Sequence, residues 1–320
     1  MLAAMTAVLP PLVIRRVSID SDRDALALAA QAWPAAERDG QLAAMAQLVK
    51  EGKADDLVLV AARAGTRLGG AVLAQRLVGR AAVVWPPQLA DARSTDLATT
   101  LLDELQSLLR AAGTCLTQAL LESPTDRAAQ TLQAAGFRHA GDLLYMSAEA
   151  AAFPGLSPDL DFHLESSALA SHERLLNVLE ATYRGSLDCP LVDGLRETAD
   201  VLAGYRAVGE FRSELWLLAH ADGRDVGCLL LADHPAQDQF EIVYLGIVPE
   251  CRGRGWGLAL TRQAQWLAHQ AGRSRVVLAV DAANRPAIAA YQSAGFAVWD
   301  RRSVLVRSFR PAAKHVAAST

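Results

Sequence analysis

The sequence is poor in the residues that hold metal ions or form disulfides. It has four cysteines and seven histidines among 320 residues. No two cysteines form a C-x-x-C pair, and the histidines show no spacing typical of metal ligands. We therefore expect neither a disulfide framework nor a metal site.

The sequence also lacks an excess of positive charge and long apolar runs. The formal net charge is −4 and the pI is about 6.0, whereas a nucleic-acid-binding domain usually carries a strongly basic surface. The two long uncharged runs, residues 1–14 and 286–299, contain proline and are too short to span a bilayer. No basic segment precedes the first run, as a secretory signal would require. These absences predict a cytoplasmic protein that binds neither nucleic acid nor membrane.

The length and an internal repeat predict two domains. Domains commonly have about 100–150 residues, and residues 147–158 contain proline and glycine without apolar periodicity, which is typical of a linker. The motif at 134–137 (AAGF) returns as SAGF at 293–296, and the same offset of 159 residues relates other positions. We predict a duplicated domain, with copies at 1–152 and 153–320 that pack against each other.

The order of elements in the second half indicates the fold class. Strand-like runs rich in Val, Leu and Ile come first, and a helix, a strand and a shorter helix follow. This order predicts an α+β fold in each half: a mixed, mostly antiparallel, twisted sheet flanked by helices.

A glycine-rich turn at residues 252–257 is the most informative motif. It follows a strand and opens a helix, and its three glycines alternate with Arg254 and Trp256. Glycine permits unusual φ values and close backbone approach, and the N-terminus of a helix favours an anion. The turn therefore predicts a phosphate cradle. A dinucleotide site with Asp281 on the ribose is the alternative, but the turn lacks the G-x-G-x-x-G spacing of that fold.

Two motifs in order resemble the GNAT family of N-acetyltransferases. The turn fits the signature R-x-x-G-x-G, and a second block runs from Asn284 through Tyr291 to Gly295-Phe296. The resemblance implies two tandem GNAT-like domains and acetyl-CoA as co-substrate, with no metal. It also implies the cofactor-binding residues Ile247, Val248, Arg252, Gly253, Arg254, Gly255, Trp256, Gly257, Asn284 and Tyr291.

The chemistry of acetyl transfer to an amine selects further candidates. An alkylammonium group has a pKa near 10, so it must lose a proton before it attacks a thioester. Glu241, a lone carboxylate in an apolar strand, is our candidate base, and Asp188, Asp193 and Glu210 are its rivals. The spacing from Glu241 to Pro249 also matches the catalytic glutamate of a tandem member of the family. The resemblance implies that Tyr291 is the general acid.

The acceptor is less well defined by the sequence. Asp188 and Asp193 lie in a connector, residues 183–194, where family members cover the acceptor, so both carboxylates are candidates for binding a cationic substrate. An ordinary helix connector is the alternative. We predict an acetyl-CoA-dependent transfer to the primary amine of a small molecule. A thiol-sugar amine, a protein N-terminus and a non-catalytic CoA-binding scaffold remain alternatives.

The first half has lost the residues that the cofactor site needs. At the offset of 159, the three glycines of the turn become Ser94, Asp96 and Ala98, and Tyr291 becomes Leu132. An aspartate repels a pyrophosphate, and leucine cannot donate a proton. We therefore expect only the C-terminal domain to catalyse and one acetyl-CoA to bind per chain.

Overall fold

A computed structural model describes residues 10–91 and 95–309, which form two compact units. The first contains residues 10–139 and 305–309, and the second contains residues 140–304. Residues 93 and 94 of the first-half turn lie outside the described ranges. Within the described residues, no helix combines the length and apolar character needed to cross a membrane.

Two strands of the chain are divided between the residue ranges of the units. The segment expected to be a linker begins inside a strand, Arg138–Glu149, most of which belongs to the second unit. Ser147, Ala148 and Glu149 pair there with Arg275–Val277, so backbone hydrogen bonds hold the start of the expected linker. The last strand, Ala297–Ser308, ends in the first unit.

The first unit is a mixed sheet with helices packed on it. Its elements are β1 (Leu12–Val17), α1 (Arg23–Ala29), α2 (Ala35–Lys50), β2 (Leu57–Ala64), β3 (Arg67–Leu77), β4 (Ala81–Val84), β5 (Gln88–Leu89), α3 (Thr95–Ala111), β6 (Leu116–Leu121), α4 (Arg127–Ala134) and the start of β7 (Arg138–Glu149). The order β1-β2-β3-β4-β6 is antiparallel except for the parallel pair β4/β6. Leucines of α3 and α4 fill its core.

The second unit repeats this plan. It comprises most of β7 together with β8 (His163–Ser166), α5 (His172–Tyr183), α6 (Thr198–Arg206), β9 (Trp216–Ala221), β10 (Arg224–His234), β11 (Gln239–Ile247), α7 (Trp256–Gln270), β12 (Arg275–Asp281), α8 (Arg285–Ser293) and most of β13 (Ala297–Ser308). The order β7-β12-β11-β10-β9-β8 is antiparallel except for the parallel pair β11/β12. The α+β class with mixed, mostly antiparallel sheets is confirmed in both units.

The parallel pair of the second unit opens at one end. The ladder between β11 and β12 stops at Ile242 and Leu278, although both strands continue. At the same point Val243 is an extra residue opposite β10, because Leu231 pairs with Ile242 and Leu230 pairs with Tyr244. A bulge of this kind bends its strand and increases the local twist. The strand ends therefore separate and leave room for a ligand.

Gly246 lies where this strand touches α5. A Cβ added there would lie 2.8 Å from both Cβ and Oγ1 of Thr182 and 2.8 Å from Cε1 of Tyr244. Because Gly246 is buried, none of these atoms can simply move into solvent. Only a residue without a side chain fits this contact.

We expect Gly246→Ala to destabilise the fold by about 1–3 kcal/mol, the usual cost of overpacking a core. The midpoint of chemical unfolding, followed by tryptophan fluorescence, measures the change. Gly257→Ala is the matched control, because a Cβ there meets nothing within 4 Å. Equal midpoints for the two variants would contradict the steric argument.

Candidate active site

A cavity of about 530 Å³ opens in the second unit where β11 and β12 separate. Its walls come from Tyr244–Ile247 of β11, the glycine turn before α7, helix α8 and the connector that follows α5. The two sequence motifs of the second half, the glycine turn and the block from Asn284 to Tyr291, thus face one space. The volume suits a small-molecule site.

The glycine turn has the conformation that its sequence predicted. Gly253 has a φ of +79° and Gly255 a φ of +80°, values that a residue with a side chain rarely adopts. Gly255 is also the N-cap residue of α7, and no side chain caps this helix end. The first amides of α7 therefore keep their hydrogen-bonding capacity for a ligand. Trp256 packs on Phe162 in the core, with ring centroids 5.3 Å apart, and also belongs to the lining of the cavity.

The two strand residues before the turn are buried. Ile247 lines the cavity, but its neighbour Val248 packs in the core and donates its amide to the carbonyl of Val226 at 2.9 Å. The Val248 amide is thus already used within the sheet.

The two arginines of the turn have different surroundings. Arg254 is exposed, and its guanidinium carbon lies 5.2 Å from the centre of the Trp256 ring. The Arg252 guanidinium instead donates hydrogen bonds to backbone carbonyls, among them those of Ile247 and Thr182. The Arg252 side chain is therefore held by backbone carbonyls of the protein itself.

Tyr291 and Asn284 lie at opposite ends of helix α8. The Tyr291 ring lines the cavity and is only 8% exposed. Burial raises the pKa of its phenol, and the charge of Asp188 adds to this effect, so Tyr291 keeps its proton. Asn284 also lines the cavity and caps α8, since its Oδ1 accepts from the Ala287 amide at 3.4 Å.

Glu241 is paired with a histidine that the sequence analysis missed. Its Oε2 lies 2.9 Å from Nε2 of His234, and its side chain is 34% exposed. This hydrogen bond raises the pKa of His234. Glu241 stands between the buried Phe240 and Ile242, so its side chain points to the opposite face of β11. Ile242 lines the cavity, whereas Glu241 does not belong to its described lining.

Asp188, an alternative to Glu241 as the base, lines the cavity. Its Oδ1 accepts from the Asp281 amide at 2.9 Å, and the Cys189 amide donates to Asp281 Oδ2 at 3.0 Å. Although the residue is accessible from the cavity, the walls withdraw its carboxylate from bulk water and raise its pKa. Among the described residues no cation pairs with it. Neither Asp193 nor Glu210 contributes to the described lining.

Three tyrosines form a cluster beside the cavity, and they too were missed by the sequence analysis. Tyr244 contacts Tyr183 edge-on at 5.4 Å and stacks on Tyr205 at 5.6 Å between ring centres. Its hydroxyl shares a 2.8 Å hydrogen bond with Thr182 Oγ1, and the hydroxyls of Tyr183 and Tyr205 are 3.1 Å apart. Their partners are far away in the chain, so no local sequence signal marks this group.

An opened parallel strand pair, an uncapped glycine turn and a buried tyrosine thus line one cavity of the second unit. Residues 179–296, which include these features, match the model of the Acetyltransferase (GNAT) family. The second unit therefore contains a GNAT acetyltransferase domain.

Curated relatives and solved structures extend the comparison. A mycothiol acetyltransferase of Salinispora arenicola is 30% identical over 148 residues, covering 46% of this chain and 43% of that protein. One from Paenarthrobacter aurescens is 36% identical over 104 residues, covering 31% and 32%. The matches thus span less than half the length of these relatives.

The structural matches cover nearly the whole chain and support the tandem fold. A GCN5-related N-acetyltransferase from Sphaerobacter thermophilus aligns with a TM-score of 0.58 at 20% identity, over 96% of this chain and 98% of that one. A tandem GNAT protein from the clavulanic acid biosynthesis pathway aligns with a TM-score of 0.50 at 16% identity, over 95% and 100%. The predicted pair of GNAT-like domains is confirmed.

Proposed function

We propose that the second unit transfers an acetyl group directly from acetyl-CoA to the primary amine of a small cationic molecule. The observation that carries this proposal is one cavity that joins an uncapped helix N-terminus, a protonated tyrosine and an unpaired carboxylate. The helix N-terminus can bind a pyrophosphate, and the tyrosine can protonate a leaving thiolate. The carboxylate can bind an ammonium group.

The proposed reaction needs one proton acceptor and one proton donor. Glu241, which does not belong to the described lining of the cavity, takes a proton from the ammonium through an intervening water, and the free amine attacks the thioester carbonyl. Beyond Ile242 the ladder to β12 has ended, so amides near Leu245–Ile247 that point away from β10 are available to the oxyanion that forms on this carbonyl. As the carbon–sulfur bond breaks, Tyr291 gives its proton to the thiolate, and the second proton lost by the amine nitrogen restores the phenol.

Asp188 supports a cationic acceptor. Its carboxylate lies in the cavity wall, and no basic side chain of the described residues neutralises it. An incoming ammonium would do so. The mycothiol acetyltransferases among the relatives support a thiol-sugar amine as the acceptor.

We expect isothermal titration to give one acetyl-CoA per chain, and Gly255→Asp to abolish binding. Aspartate would strain the backbone at a φ of +80° and place a negative charge at the phosphate cradle. Gly223→Asp is the matched control, because Gly223 also has a positive φ (+74°) and open space but lies in the β9–β10 turn. Two sites in the wild type, or one site surviving in Gly255→Asp, would contradict the proposal.

Turnover completes the test. The full chain is incubated with acetyl-CoA and a panel of glucosamine, spermidine and a peptide with a free N-terminus, and acetylated products are identified by mass spectrometry. We expect acetylation of a small amine but not of the peptide. Acetyl-CoA binding without any product would favour the scaffold alternative.

A further inference from the structure

Arg252 connects the glycine turn to the loop after α5. Its Nε donates to the Ile247 carbonyl at 3.0 Å, and its Nη1 donates to Gly185 at 2.9 Å. Its Nη2 donates to Thr182 at 2.8 Å and to Arg184 at 3.0 Å. A guanidinium has five N–H groups, so four of the five are committed to backbone carbonyls.

Three of these carbonyls lie at the C-terminal end of α5, a position at which a cation is stabilising. The last carbonyls of a helix lack partners within the helix and carry the negative end of its dipole. The last turn of α5 contains no basic residue of its own. Arg252, about 70 positions along the chain, satisfies this end instead.

The loop that Arg252 holds forms the acceptor side of the cavity. Residues 185–188 line it, and its far end is fixed by the hydrogen bonds that join Asp188 and Cys189 to Asp281. The guanidinium thus ties this wall to the glycine turn that forms the cofactor side.

We propose that Arg252 is a positioning residue that sets the acceptor wall of the cavity, while Arg254 supplies the charge for the phosphates. This inference rests on the proposed function. The two arginines of the glycine turn therefore differ in their contacts. The Arg252 guanidinium donates hydrogen bonds to backbone carbonyls, whereas Arg254 contacts only the face of the Trp256 ring in the described contacts.

The thiol of Cys189 gives a direct readout of the loop position. Burial raises the pKa of this thiol to about 12, and the nearby charges of Asp188 and Asp281 add to the effect. The thiolate is the reactive form, so alkylation of Cys189 is slow while the loop stays in place. The other three cysteines are free and buried, and Cys189→Ser identifies their background.

We expect Arg252→Gln to change acetyl-CoA affinity by less than about threefold but to speed alkylation of Cys189 by about tenfold or more. Arg254→Gln, the matched control, should weaken acetyl-CoA binding by about tenfold and leave the alkylation rate unchanged. With any amine of the panel that is acetylated, Arg252→Gln should raise the KM of the amine more than that of acetyl-CoA. Arg252→Lys should not rescue it, because one ammonium cannot span these carbonyls.

The outcomes separate this inference from the proposed function. Loss of acetyl-CoA affinity in Arg252→Gln with unchanged Cys189 alkylation would overturn the positioning role. A wild-type chain that binds no acetyl-CoA would overturn the proposed function, while faster alkylation in Arg252→Gln would still show that the guanidinium holds the loop.

Discussion

Replacing Tyr291 with phenylalanine is expected to lower turnover by about 10²-fold while acetyl-CoA affinity stays within a few-fold. A lost general acid usually costs about 10²–10⁴ in rate. The ring lines the cavity and packs at a tilt against Phe296, at 5.9 Å between centres, so phenylalanine retains the packing and removes only the hydroxyl. The thiolate would then leave without a proton donor.

The pH dependence of the wild type gives a second check. Because burial raises the pKa of Tyr291 above that of a free phenol, the group remains protonated through neutral and mildly alkaline pH. Tyr291 should therefore add no falling limb below about pH 10. Tyr183→Phe serves as control, because it removes a hydroxyl that bonds Tyr205 outside the described cavity lining. Equal turnover in Tyr291→Phe and wild type at neutral pH would remove Tyr291 from the mechanism.

The parts of the site that depend on short-range chemistry could be predicted from the sequence. The glycine turn, its positive φ values and the start of α7 follow from adjacent residues, and Asn284 caps the next helix as its position suggested. The partners of Arg252 could not be predicted, because they are carbonyls at the end of α5 and carbonyls carry no sequence signal. His234 was missed for a related reason: its contact with Glu241 depends on the register of a hairpin.

We expect the first unit to keep the fold of the repeat without the site. Helix α3 begins at Thr95, near the position that corresponds to the start of α7, and Asp96 lies in its first turn. Leu132, which takes the place of Tyr291, is fully buried in the core. Pro86 and Pro87 fall between β4 and β5, since proline supplies no amide to a ladder. The apolar pattern suffices for packing, and we expect the first unit to lack the cofactor site.

Glu241→Gln is expected to lower turnover by about 10²–10³-fold, because an amide cannot take a proton from the ammonium. Glutamine has nearly the same shape and its oxygen can still accept from His234, so the fold should persist. Glu214→Gln is the control, because that carboxylate is exposed and pairs with Arg212 just before β9.

His234 allows the role of Glu241 to be separated from a structural one. Glu241 and Asp233 are the charged groups that act on this histidine. If His234 acts by orienting Glu241, His234→Gln lowers turnover in the wild type. The same substitution then has no further effect in the Glu241→Gln variant, because the effects of substituting two residues that act as a unit are not additive. Equal losses in both backgrounds would mean that His234 only supports the hairpin. Turnover that stays at the wild-type level in Glu241→Gln would place the base elsewhere, and Asp188, the carboxylate that lines the cavity, would then be the residue to substitute.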